Sequence, residues 1–308
     1  MNAVHVSQKI LRRMMYAAIT RSAMIVPGDV RARLKQGLDE ESSPLARAHL
    51  ATTLRSIELG EAKKGFACAD TGWPLFFVKI GDNVTIEGGF STLYDISRQV
   101  VEQATKRGRL RENMVHPLTR EYTGTNTGLY IPKVEVRFDA GLDCLEIIAV
   151  TKGGGSEAFG TFYRMLSKED GLPGIIKFVL DSVKEGTYAG KTCGPNIVGI
   201  GIGGTADMSM KLAKEAALLR PVGSHHPDPE IARMETDLFE TFRMMDRGPM
   251  GTGGSTGVLD VHIEYAMTHE AALPVGVQLE CCVARRAVVR YGGNGRIRYS
   301  DAPVWNYR

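Results

Sequence analysis

Three of the five cysteines share a setting that suits chemistry. Cys68 in ACADTG, Cys193 in TCGPN and Cys282 in ECCVARR each lie at the edge of an apolar run, beside small or turn-forming residues. A thiol at the end of a strand can stay in the core, attack a substrate as a thiolate or ligate a metal, and these residues alone leave all three uses open. The close-spaced ligand pairs of a zinc site are absent. Asp70 follows Cys68 by two residues, on the same side if the segment is extended, which sets a proton-transfer group next to a thiol. An Asp before Thr71 and Gly72 also suits a plain turn.

The remaining candidates read more simply. Cys144 in LDCLEIIAV lies inside a strand pattern and is expected in the core. Cys281 points away from Cys282 if the strand continues through both. His225 and His226 are adjacent, which suits one ion poorly, and the following PDPE makes them a helix entry. His262 alternates with Asp260 and Glu264 on one strand face, beside a site or at the surface, and is assigned no role. GIGIGG, Gly199 to Gly204, matches G-x-G-x-x-G between the apolar run Ile197 to Ile202 and the helix pattern DMSMKLAKEAALL. A dinucleotide fingerprint also needs an acidic residue about 20 positions on, where RPVGSHH offers none. The glycines are therefore read either as a close backbone approach, with helix N-terminal amides for an anion, or as a tight turn.

The elements that must position these residues form a mixed α/β pattern. Up to Gly65 the chain reads helical: after Ser7, residues Ile10, Leu11, Met14, Met15 and Ala18 fall on one helical face. From Phe66, β-rich runs such as PLFFVKI, KVEVRF and CLEIIAV alternate with glycine-rich turns and helices. The clearest helix starts at Asp228 as N-cap with Pro229 in its first turn. It carries the stripe Ile231, Met234, Leu238, Phe242 and Met245, and stops at Arg247 to Pro249. AVVRYGGNGRIRYS reads as a hairpin. The expected fold is thus an N-terminal helical layer followed by a mixed α/β domain. One domain spans 1–308, with a helical layer at 1–65, a core at 66–290 and a C-terminal hairpin and tail at 291–308.

Composition narrows the class. The 308 residues are 43% hydrophobic and 24% charged, which excludes a disordered chain. A net charge of +3 from 38 basic and 35 acidic residues, without basic clusters, predicts no nucleic-acid partner. No apolar run approaches the roughly 20 residues of a membrane span, and the start lacks a secretory signal, so no membrane association and a cytoplasmic location are expected. Five widely spaced cysteines do not form a disulfide framework.

Further motifs fall in a consistent order: HPLTREYTGTNTG, TKGGGSEAFG, LLRPVGSHHPDPE, GPMGTGGSTGVLDVHIEYAMTHEAALPVG and CCVARR. With these, the chain resembles the α-type catalytic region of the iron-sulfur hydro-lyases, class I fumarate hydratases and L(+)-tartrate dehydratases, from roughly Val30 to Arg290. The resemblance implies a [4Fe-4S] cluster held by Cys68, Cys193 and Cys282, with one open iron acting as a Lewis acid. The family's Cys-x-Asp-Thr-Gly motif matches Cys68, Asp70, Thr71 and Gly72, which makes Asp70 the candidate for proton transfer. His269 in THEAALPVG matches a family histidine that serves as a donor to the substrate or its leaving hydroxyl. Arg120 matches an arginine that grips a carboxylate, and the Gly153 to Gly155 loop, with Gly154 and Gly155, offers backbone amides to the substrate.

Two positions depart from the family pattern: Ala69 stands where the family has Gln, and Tyr122 where it has the first Asn of NTGxNT. The lost amide widens the expected substrates to C4 to C5 hydroxy-dicarboxylates. Malate to fumarate is the first expectation; L(+)-tartrate or a related hydroxy-dicarboxylate is the alternative. The family also implies a separate β subunit in an α2β2 heterotetramer, since the chain ends soon after Cys282. From other classes, a Rossmann-type oxidoreductase would bind nicotinamide at Gly199 to Gly204. A non-catalytic iron-sulfur protein would add a fourth ligand such as Cys281.

Overall fold

A computed structural model describes residues 3–62, 65–303 and 305. In chain order the elements begin with β1 (Val4–Val6), α1 (Gln8–Met24), α2 (Gly28–Glu40), α3 (Pro44–Ala62), β2 (Trp73–Ile80), β3 (Val84–Ile86) and α4 (Thr92–Lys106). Next come β4 (Lys133–Phe138), β5 (Cys144–Lys152), α5 (Gly154–Phe159), β6 (Thr161–Leu166), α6 (Gly171–Gly186), β7 (Asn196–Gly203) and α7 (Ala206–Leu219). The chain closes with α8 (Pro229–Met244), β8 (Val258–Ala266), β9 (Leu273–Glu280), β10 (Arg286–Gly292) and β11 (Ile297–Ser300). The fold is mixed α/β, as expected. Among the described residues no helix is long and apolar enough to cross a membrane.

The chain divides into two compact units. The first comprises 1–27, 59–152 and 285–303; the second comprises 28–58, 153–284 and 304–308. In the first unit a five-stranded sheet has the order β11-β10-β5-β2-β4. β5 runs antiparallel to both β2 and β10, while β2 and β4 are parallel. Helix α1 starts because Ser7 caps it, its Oγ accepting from the Ile10 amide at 3.3 Å. Its apolar face, Leu11, Met14, Met15 and Ala18, packs with Val100 and Val101 of α4 onto Phe76, Val78, Leu145 and Ile147. The expected hairpin is β10–β11, paired from Val288↔Ser300 to Tyr291↔Ile297. Residues 304 and 306–308 of the expected tail lie outside the described residues.

In the second unit a four-stranded sheet has the order β6-β9-β7-β8, with β7 parallel to β8 and antiparallel to β9. Val198 and Ile200 face a core with Val179 and Val183 of α6 and with Leu238 and Phe242 of α8. Asp228 caps α8 as expected, its Oδ1 accepting from the Glu230 amide at 2.9 Å. The alternate positions of β7 are glycines. A Cβ on Gly199 would stand 2.1 Å from the Ala213 carbonyl oxygen, and one on Gly201 2.0 Å from that of Ser209. The close approach read from GIGIGG is therefore to α7, which lies directly on the strand backbone. Thr205 and the Asp207 carboxylate close the start of that helix. Hydrogen bonds from Thr205 and from the first-turn amides hold the pKa of Asp207 below the usual carboxylate range, so these amides already have an acceptor.

The helical N-terminus is not one layer. Helix α1 belongs to the first unit and α2 to the second, and the division falls within α3, between Glu58 and Leu59. Apolar periodicity marks each helix without saying which sheet its stripe will cover.

Candidate active site

In the first unit the segment before β2 holds Cys68 and Asp70, both half-buried. Residues 67–69 form a bend, so strand alternation does not set the sides of Cys68 and Asp70, contrary to the extended reading. A turn follows instead: Asp70 Oδ1 accepts from the Gly72 amide at 2.9 Å, and Gly72 takes a φ of +68° that favours glycine. The Asp70 carbonyl accepts from Arg285 Nη1 at 2.8 Å. Asp70 is thus fixed through both its main chain and one carboxylate oxygen.

Thr71 anchors the same turn from beneath. It is 1% exposed, its Oγ1 accepting from the Arg111 amide at 3.1 Å and meeting the Asn113 side-chain amide at 3.1 Å. The Arg111–Met114 segment is in turn held by Asn126. Its Oδ1 accepts from the amides of Asn113 and Met114 at 2.7 and 3.1 Å, and its Nδ2 donates to the Arg111 carbonyl at 2.8 Å. The TGTNTG motif therefore works as a brace for the Asp70 turn. Arg120 lies further out in this region. It is exposed, with a φ of +64°, and its amide donates to the His116 carbonyl at 3.0 Å. Tyr122 pairs with Val115 across the base of that loop and is itself exposed.

In the second unit the ends of β7 and β9 bring two cysteines together. Antiparallel pairing sets Ile197 opposite Glu280, so the chain entering β7 and the chain leaving β9 meet at one end of the sheet. Buried Asn196 ties them: its Nδ2 donates to the Glu280 carbonyl at 2.9 Å, and its Oδ1 accepts from Thr192 Oγ1 at 2.9 Å. As a result the Cys282 amide donates to the Cys193 carbonyl at 3.0 Å. Cys193 is exposed and left-handed, with a φ of +55°, while Cys282 is buried. β9 ends at Glu280, so Cys281 and Cys282 occupy a turn and the alternation argument for their opposite sides does not apply. Cys281 Sγ lies 3.6 Å from Glu280 Oε1.

Gly154 and Gly155 open the six-residue helix α5 rather than an open loop. A Cβ on Gly155 would come 3.1 Å from the Lys191 carbonyl oxygen, which sets this turn beside the chain leading to Cys193. Gln278 holds the helix, its Nε2 donating to the Ser156 carbonyl at 3.3 Å.

His269 sits in the turn between β8 and β9, exposed, with Nδ1 accepting from the Ala271 amide at 3.2 Å. Cys282 leaves the other end of β9, eight residues and thus about 26 Å along the strand. Within the second unit, then, the fold separates His269 from Cys193 and Cys282, because the strand between them runs the full width of the sheet. His262 is buried, not surface: its Nε2 meets Asp260 Oδ2 at 3.0 Å and its Nδ1 the Ala216 carbonyl at 3.1 Å. His226 accepts at Nδ1 from the Asp228 amide at 3.0 Å, as a helix entry requires.

The cysteines differ in what they can ligate. Cys144 is buried in β5, and burial followed by the Glu146 charge pushes its thiol up to about 11, which suits the core and not a thiolate ligand. Cys68, Cys193 and Cys282 form no disulfide and lie in the irregular segments beside strand ends. Among the described residues no group of three or more His, Cys, Asp or Glu side chains forms a ready metal site. Thiols are the donors an iron-sulfur cluster takes, and the backbone hydrogen bond from Cys282 to Cys193 brings the main chains of two of these residues together.

The sequence model of a family described as Fumarate hydratase (Fumerase) matches residues 12–290. A Methanocaldococcus jannaschii protein, provisionally named an L(+)-tartrate dehydratase subunit alpha, is 42% identical over 270 residues, covering 87% of this chain and 93% of that protein. The L(+)-tartrate dehydratase subunits alpha of Escherichia coli K12 and Shigella sonnei are each 34% identical over 264 residues, covering 86% of this chain and 85% of theirs.

Proposed function

The chain belongs to the fumarate hydratase family, and from that premise we propose that it is the α subunit of a [4Fe-4S] hydro-lyase that dehydrates a 2-hydroxy-dicarboxylate. The names of its relatives favour L(+)-tartrate, which would yield oxaloacetate through its enol. The description of the matching family keeps (S)-malate to fumarate as the second reading. The word alpha in the relatives' names supports a separate β subunit, as in an α2β2 assembly.

The observation that carries this reading is the Cys282 to Cys193 backbone hydrogen bond, which brings together the main chains of two of the three cysteines that would hold the cluster. Cys68, Cys193 and Cys282 would hold the cluster. When bound, the cluster supplies a Lewis acid that lets hydroxide leave. Dehydration breaks one C–O bond and one C–H bond on the neighbouring carbon, so a base must take the carbon-bound proton. Asp70 is the candidate: the Gly72 amide and Arg285 orient it, and the Thr71–Asn126 brace limits the motion of its turn. Arg120, on an exposed loop, is suited to a substrate carboxylate. Gly154 and Gly155, at the start of α5, would offer backbone amides to the substrate.

The test is iron and acid-labile sulfide per chain after anaerobic purification or reconstitution, with Cys68→Ser, Cys193→Ser, Cys282→Ser and Cys281→Ser in parallel. The reading expects about four irons per chain, lost in the first three variants and retained in Cys281→Ser. If Cys281→Ser loses iron and Cys282→Ser keeps it, the third ligand moves by one residue. Iron indifferent to all four sinks the cluster. With the β subunit added, turnover of L(+)-tartrate against meso-tartrate and (S)-malate decides the substrate.

A further inference from the structure

Among the described residues Arg285 is the largest fully buried side chain, 2% exposed. Nη1 donates to the Asp70 carbonyl. Nε and Nη2 are sealed from solvent and have no hydrogen-bond partner among the described residues. Two other buried cations are matched by carboxylates: Arg220 meets Glu235 and Glu264, and Lys79 meets Asp139 at 2.8 Å. A guanidinium always carries its charge, and a buried charge with unfilled donors is strongly unfavourable unless an anion completes it. The sequence places Arg285 three residues after Cys282, and the fold places its Nη1 on the peptide two residues after Cys68.

We propose that Arg285 is the positioning residue for the cluster: Nη1 fixes the Asp70 peptide, and Nε and Nη2 face the negative charge of the thiolate-bound iron-sulfur group. This rests on the reading given under Proposed function. A cluster, and not the dicarboxylate, is the anion chosen, because donors closed to solvent are out of reach of a diffusing substrate but suit a group built in with its ligands. N–H donors to cluster sulfurs are also an established way for a protein to tune such a group.

The experiment compares full-length wild type, R285Q and R285K, each as apo-protein and after anaerobic reconstitution, by thermal unfolding and by the rate of iron loss to a chelator. R285Q keeps a donor for the Asp70 carbonyl but removes the charge; R285K keeps the charge. The expected result is an apo R285Q with a midpoint equal to or above wild type, because an unpaired charge is gone. Its reconstituted form gains less from the cluster and loses iron about tenfold faster. R285K falls between the two. An R285Q that is destabilised equally with and without iron, or an apo R285Q that does not fold, shows a merely structural clamp and overturns the proposal. R285K losing iron as fast as R285Q overturns it too. A wild-type chain that takes up no iron overturns both this proposal and the reading beneath it, whereas wild-type uptake with an indifferent R285Q overturns this one alone.

Discussion

The Cys282 amide and the Cys193 carbonyl are joined by a 3.0 Å hydrogen bond, although 89 positions of sequence separate the two residues. The bond exists because β7 and β9 are antiparallel neighbours and Asn196 stitches their adjoining ends. Asn196→Ala removes that stitch, deleting the hydrogen bonds to the Glu280 carbonyl and from the Thr192 hydroxyl. Loss of about 2–3 kcal/mol of stability is expected from urea unfolding, with reduced iron per chain after reconstitution. Full iron in a destabilised Asn196→Ala would separate the stitch from the ligand pair.

Asn126 makes a different prediction, because it braces Asp70 without touching it. Its amide makes three hydrogen bonds to main-chain atoms of the Arg111–Met114 segment, from a left-handed residue with a φ of +56°. Asn126→Ala should destabilise the chain by about 2–4 kcal/mol. In the assembled enzyme it should lower kcat more than it raises KM, since the proposed base, Asp70, would be displaced while carboxylate contacts remain. Steady-state kinetics showing only a KM effect would remove the brace from the mechanism.

The glycines of β7 give a steric prediction. Gly201→Ala drives a methyl against the Ser209 carbonyl oxygen, so α7 must lift from the sheet. A loss of about 3 kcal/mol or more, or failure to fold, is expected. Gly128→Ala, whose new methyl would meet only Thr123 Cγ2 at 4.0 Å, should change stability by less than about 1 kcal/mol. Equal effects in a thermal unfolding comparison would mean that α7 does not rest on the strand.

Asp260 sets a pH dependence. Burial opposes its ionisation, but hydrogen bonds from His262 and from the Gly223 and Val261 amides outweigh burial and hold its pKa below the usual carboxylate range. A folded value below the unfolded one means that the stabilisation is fully present above about pH 4 and is lost as pH falls through the folded value. Asp260→Asn should therefore lose about 1–3 kcal/mol at neutral pH, and its deficit against wild type should shrink steadily on acidification below about pH 4. A deficit that stays constant with pH would assign the loss to shape and not to charge.

Local signals were legible in the sequence where one residue type does one thing. Asp228 and Pro229 start α8, the β-rich runs become β2, β4 and β5, and the embedded Cys144 is core. Signals failed where long-range topology decides. The two-residue spacing of Cys68 and Asp70 suggests a common side only in an extended strand, and the chain bends there. His269 precedes Cys282 by 13 positions, but most of those positions are a strand that carries the chain across the sheet. The motif CCVARR by itself gives Arg285 no role, and only the fold shows it buried on the Asp70 carbonyl. Asn126 likewise reads as part of a polar turn, because its hydrogen bonds go to residues 12–15 positions earlier.

The first unit is assembled from three separated stretches, and its strand β10 lies between β5 and β11 in the sheet. During synthesis on a ribosome, β5 leaves the exit tunnel well over a hundred residues before β10 does. Until β10 arrives, β5 offers an open apolar edge of the kind that recruits other chains. Helix α1, made first, already covers part of the unfinished sheet through Leu11, Met14 and Met15. A nascent chain stalled before Arg286 would thus present a half-built sheet to the cell, and chaperone demand should concentrate in that interval of translation.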